Sequence, residues 1–130
     1  MTIKNLLVHK PYAVIISVAY TLFVLGVSFI DLDDLSQLDT SRGDKIAHAG
    51  IYFLLVLVWY VAFLPKAGIH PKKYIPRISI TVFIFGTIIE VLQSSLTTHR
   101  TADVLDIVAN TIGVGLASLL LWRVKINVKK

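Results

Sequence analysis

Four long apolar runs divide this 130-residue chain, separated by short polar stretches. The clearest is Pro11 to Ile30, PYAVIISVAYTLFVLGVSFI, 20 residues without a charge, which is the length an α-helix needs to cross ~30 Å of hydrocarbon. Lys4 and Lys10 ahead of it resemble the start of a signal peptide. The run is too long for one, however, and ends in Phe29-Ile30-Asp31 with no small-residue cleavage site, so it reads as a retained anchor. The second run, Ile46 to Leu64, closes at Pro65; the third runs from about Ile78 to Leu96; the fourth, about Ala102 to Trp122, opens on Asp103, Asp106 and Asn110 before turning wholly apolar. Backbone groups find no partners in lipid, and four segments of this length cannot close a β-barrel, so the spans must be helices. The pattern predicts an all-α polytopic membrane protein, a four-transmembrane-helix bundle with helices about 11–30, 46–64, 78–96 and 102–122. A single membrane domain then covers residues 1–130.

Composition agrees. A mean hydropathy of +0.74 and 55% hydrophobic residues exceed the ~45–50% of soluble domains, and only 16% of residues are charged. The net charge of +5 does not point to nucleic acid, because no soluble basic face with interleaved aromatics exists to grip one. It reports topology instead. Lys4, Lys10, Lys66, Lys72, Lys73, Arg77, Arg123, Lys125, Lys129 and Lys130 flank one side, and only Arg42, Lys45 and Arg100 the other. Ten against three places both termini in the cytoplasm by the positive-inside rule. Tyr12, Trp59, Tyr60, Tyr74 and Trp122 fall near the cytoplasmic ends, where aromatic rings commonly sit at head-group level. Without cysteine, disulfides and thiolate metal sites are excluded and the redox compartment is left open.

The polar residues inside the spans converge on the outer half. Helix two starts there at Asp44-Lys45-x-x-His48, helix three ends there after Glu90-x-x-Gln93, and helix four starts there at Arg100-x-x-Asp103-x-x-Asp106-x-x-x-Asn110. At ~1.5 Å per residue, Glu90 lies roughly 9 Å below its helix end, and Asp106 and Asn110 roughly 6 and 12 Å below theirs. Spacings of three, four and seven give each helix one polar stripe: Lys45, His48 and Tyr52; Glu90 and Gln93; Asp103, Asp106 and Asn110. An acid at mid-helix costs at least ~2.5–3.5 kcal/mol on insertion scales, so such residues face the bundle interior and mark a site. Simpler roles compete with this. Asp44, Lys45, Arg100 and Asp103 also suit interfacial pairing, and acids in a first turn stabilise the helix dipole by ~0.3–1 kcal/mol. Glu90, Gln93, Asp106 and Asn110 also suit an interhelical clamp. Ala109, Gly113 and Ala117, four apart, read as a packing seam. The loop IDLDDLSQLDTSRGD lacks the ligand spacing and glycine of a calcium loop. No nucleophile elbow, phosphate-binding loop, HExxH or dinucleotide fingerprint occurs.

Asp44-Lys45-x-x-His48-x-x-x-Tyr52, then Glu90-x-x-Gln93, then Arg100-x-x-Asp103-x-x-Asp106-x-x-x-Asn110-x-x-Gly113 together resemble the VanZ-like family over about Asp44 to Ala117. Family members often carry a second glycine four residues after the first; Ala117 stands there, with Gly115 nearby. The resemblance implies a protein of the bacterial cytoplasmic membrane, whose namesake is associated with reduced susceptibility to the glycopeptide teicoplanin. It marks His48, Glu90, Gln93, Arg100, Asp103, Asp106 and Asn110 as site positions and brings no biochemical mechanism. With Lys45 these residues define the expected cluster. It suits a lipid-linked or cell-envelope ligand, with Lys45 and Arg100 meeting anionic groups and the acids meeting hydroxyls or amines. Two other readings stay open. In the first, an intramembrane enzyme uses Glu90 or Asp106 as base and His48 as acid or metal ligand; in the second, a structural bundle uses polar contacts only to fix register. Whether the carboxylates and imidazole hold a metal, and whether any cofactor binds, is not decided by sequence.

Overall fold

The computed structural model describes residues 10–30, 41–67, 71–96 and 103–124. Among these, four helices run up, down, up and down: α1 Lys10–Ser28, α2 Ser41–Ala67, α3 Tyr74–Leu96 and α4 Val104–Arg123, with a 3-10 turn Pro71–Lys73 before α3. All four are long and apolar enough to cross a membrane, and no strand occurs among the described residues. The protein is therefore a multi-pass helical membrane bundle.

Its surface is inverted relative to a protein built for water. Ile15, Leu22, Phe23, Ile80, Ile84, Ile88, Leu116 and Leu119 are exposed, while Ser17, Glu90, Gln93 and Asn110 are buried. With lipid as solvent, burial of apolar side chains drives little, and close packing and hydrogen bonds hold the helices together. Ser17 shows how: its hydroxyl, with no exposed surface, lies within hydrogen-bond reach of Ala13 O at 2.8 Å and of Val58 O on α2 at 2.9 Å. Tyr20 Oη donates to Ile51 O at 3.0 Å and Trp59 Nε1 to Thr21 Oγ1 at 3.0 Å, so α1 is stapled antiparallel along α2. Ser79 and Ser118 hydroxyls at 2.6 Å join α3 to α4.

The tightest approach is between the parallel pair α2 and α4. A Cβ on Gly113 would stand 2.1 Å from Ala49 O, so the two backbones touch where only hydrogen fits. This contact sets the relative height of the two helices and thereby the placement of Lys45 and His48 against Asp103, Asp106 and Asn110.

Boundaries differ from the hydropathy reading by more than two residues at three ends. Helix α2 begins at Ser41 rather than 46 and passes Pro65 to end at Ala67; a proline in the last turn removes one backbone hydrogen bond instead of breaking a helix interior. Helix α3 begins at Tyr74 rather than 78, because Pro76 falls in its first turn, where the missing N–H has no intrahelical partner to lose. Tyr60, expected at head-group level, is a core residue at 2% exposure. Trp122 and Tyr12 are exposed, and Lys72 lies 5.5 Å over the Trp122 ring, an arrangement suited to an interface.

Candidate polar site

Three helices bring the stripe residues together. Lys45 in the first turns of α2 donates to Asp103 Oδ2 at 2.5 Å and to Asp106 Oδ1. One ammonium thus clamps the start of α4. Asp103 is also the N-cap of that helix, its Oδ1 accepting from Leu105 N at 2.9 Å. The Lys45 hydrogen bond, followed by the Leu105 N–H, holds the Asp103 carboxyl below its ordinary range. The cap and the ion-pair role of this residue are both realised, on different oxygens. In this structure the Lys45 ammonium is paired with carboxylates of its own chain.

One turn further in, His48 is surrounded by oxygen. Its Nδ1 lies 3.1 Å from Asn110 Oδ1 on α4 and 3.7 Å from Glu90 Oε1 on α3, and its Nε2 lies 3.6 Å from Asp44 Oδ1. With its proton on Nδ1 the ring donates to Asn110 Oδ1, while Nε2, at 3.6 Å, stands beyond hydrogen-bond distance of Asp44. Glu90 and Asn110 are only 3% and 2% exposed, whereas the Asp44 and Asp103 side chains are 42% and 43% exposed. The cluster therefore has a closed inner floor and an open rim. Tyr52 lies against it: a Cβ on Gly86 would stand 2.6 Å from the Tyr52 ring and 3.3 Å from Asn110 Nδ2.

The expected residues fall out as follows. Two contact sets lie side by side, Lys45 with Asp103 and Asp106, and His48 with Glu90 and Asn110, with Asp106 and His48 bringing them together. Gln93, buried on the same stripe as Glu90, donates through Nε2 to Ser28 O and ties α3 to the end of α1. Arg100 lies outside the described residues. Asp44 is an addition. Its spacing of four to His48 was the available signal, and its first-turn position made a dipole role sufficient. A groove of about 450 Å³ lies elsewhere: Thr21, Leu55, Trp59, Phe63, Arg77 and Phe85 line it, with none of the cluster residues. The polar residues form a packed cluster with a rim, apart from that groove.

A family model described as VanZ/LLP1 matches residues 3–125. The chain belongs to the VanZ/LLP1 family. The match extends beyond the α2 to α4 motifs to include α1, so all four helices are part of the VanZ/LLP1 unit. An uncharacterized protein of Schizosaccharomyces pombe, C11E3.10, is 35% identical over 77 residues, 59% of this chain. The chain matches 45% of that relative's length. No solved structure matches.

Proposed function

We propose that the polar cluster binds the head of a lipid-linked or cell-envelope ligand through hydroxyls or amines presented to its carboxylates. Charge carries this reading. Among the described residues Asp44, Glu90, Asp103 and Asp106 face one ammonium, Lys45, and one imidazole, His48. An excess of acid at membrane depth is costly to keep and suits a partner that donates hydrogen bonds or positive charge. The exposed rim of Asp44 and Asp103 gives access, and spanning length brings the cluster ends of α2, α3 and α4 to the depth of lipid head groups in this reading. The fission-yeast relative favours a ligand chemistry not confined to bacterial walls, and the family's teicoplanin phenotype fits a lipid-linked one.

Native mass spectrometry of the protein with membrane lipid extract is the test. Wild type should retain a polar lipid, while Glu90→Gln and Asp106→Asn, which preserve size, release it and still insert. The double variant should lose less than the sum of the singles, since both act on one ligand. Additivity within ~0.3–0.5 kcal/mol would mean separate sites. The phenotypic counterpart is higher teicoplanin tolerance in a bacterial host expressing wild type but not Glu90→Gln.

A second reading is favoured by the pairing of His48 with buried Glu90 at 3.7 Å, an arrangement suited to a general base oriented by a carboxylate. In that case the retained lipid is converted on incubation. Recovery of the lipid unchanged removes the enzyme and leaves binding.

The cluster faces outward and both termini lie in the cytoplasm in this reading, as the distribution of Lys and Arg requires. In sealed cells a cysteine at Asp44 should react with an impermeant maleimide and one at Lys72 should not; the opposite pattern inverts the topology.

A further inference from the structure

We propose that Asp44, His48 and Asp106 form a site for one divalent cation of the zinc or manganese type. One ligand atom from each lies within 4.8 Å of the other two. Donors that each stand ~2.0–2.2 Å from a shared ion are separated by up to about 4 Å, so small side-chain rotations complete the site. The imidazole is already oriented for it. Nδ1 faces Asn110 Oδ1 at 3.1 Å and Glu90 Oε1 at 3.7 Å, and Nε2 is turned toward Asp44. Metal-bound histidines have their other nitrogen held in this way by a carbonyl or carboxylate, which fixes tautomer and ring angle.

Asn110 supplies the outer hold on the ring. It is 2% exposed, it reaches the cluster from α4, and its Oδ1 faces His48 Nδ1; its Nδ2, a donor that a cation would not satisfy, has no hydrogen-bond partner among the described residues. The donor set narrows the ion. Magnesium and calcium take all-oxygen shells, whereas one imidazole with two carboxylates suits zinc or manganese. Lys45 stands beside the triad, with its ammonium on Asp106 Oδ1 and Asp103 Oδ2. Three protein ligands leave positions open to a head-group oxygen.

This assignment rests on the cluster being a ligand site, as proposed above, but it is read without any lipid. Full-length protein in detergent, stripped with chelator, would be titrated calorimetrically with zinc or manganese, and metal content measured after gel filtration. One equivalent per chain is expected. Asp44→Asn and His48→Gln should each weaken binding at least tenfold, Asn110→Ala by about tenfold through the lost orientation, and excess magnesium should not compete. Asp44 is half exposed in a first turn, so its variant reports even where His48→Gln fails to fold. Absence of stoichiometric metal, or binding unchanged in Asp44→Asn, overturns the site. Retained lipid with no stoichiometric metal on titration sinks the metal assignment alone, and metal binding without any retained lipid sinks the head-group reading alone.

Discussion

Gly113→Ala is expected to loosen the bundle by about 3 kcal/mol, the upper part of the ~1–3 kcal/mol range for overpacking. The added methyl would meet Ala49 O at 2.1 Å and the Ala49 carbonyl carbon at 2.9 Å. Backbone cannot rotate away as a side-chain tip can, so α2 and α4 must separate or slide. Gly115, two residues on, has nothing within 4 Å of a Cβ. Gly115→Ala should therefore be neutral, or stabilising by up to ~0.5–1 kcal/mol through reduced backbone entropy. Thermal or denaturant unfolding of the pair in detergent measures the contrast, and equal midpoints would refute the close approach. Ala49 follows His48 directly, and Gly113 is one turn beyond Asn110. Displacement at this contact should therefore also break the His48 to Asn110 hydrogen bond and weaken anything held by the cluster.

Replacement of Lys45 by methionine should have the second-largest effect, a loss of roughly 1.5–3 kcal/mol, the range for hydrogen bonds to charged groups. The stem is kept, and Asp103 and Asp106 lose their shared ammonium. Most of the loss belongs to Asp106, whose side chain is 15% exposed; Asp103, at 43%, is screened by water and contributes the smaller share. Lys45→Met with Asp106→Asn should recover part of the loss, because the partly buried carboxylate is no longer left unpaired. Acid gives an independent readout. Asp103 titrates below its ordinary value because of the Lys45 hydrogen bond and the Leu105 N–H. A depressed carboxyl stabilises the fold fully above its unfolded value, ~3.9, and that contribution is lost as pH falls through the lower folded value. Wild type should lose stability below about pH 4, and Lys45→Met should show a shallower acid limb. An unchanged limb would mean that the ion pair does not form in the membrane protein.

Much of this molecule was legible before any coordinates. Span length is a local property, set by how many consecutive residues lipid tolerates, so the four helices followed from the runs with errors only at their ends. Those errors have local causes too: Pro65 and Pro76 look like breakers in sequence but fall in terminal turns, where little hydrogen bonding is lost. The stripes were equally legible, because a 3.6-residue period assigns a face without knowledge of the neighbour. Hence Glu90, Asn110 and His48 could be placed inward from spacing alone.

What sequence could not supply was the partner of each charge. Asp44 and Lys45 are adjacent in the chain, yet Lys45 reaches Asp103 and Asp106 while Asp44 faces His48 Nε2. Neighbours on a helix point ~100° apart: Asp44 meets His48 one turn on in its own helix, whereas the partners of Lys45 depend on rotation and height of a helix some sixty residues away. That register is set where Gly113 meets Ala49. The same packing turned Gln93 toward Ser28 and drew Tyr60 into the core. Sequence determined how many helices cross the membrane and which faces are polar, since hydrophobicity and helical period are carried by consecutive residues. Tertiary structure alone decided which charge neutralises which and which way the imidazole points, since those depend on ångström-scale contacts between residues far apart in the chain.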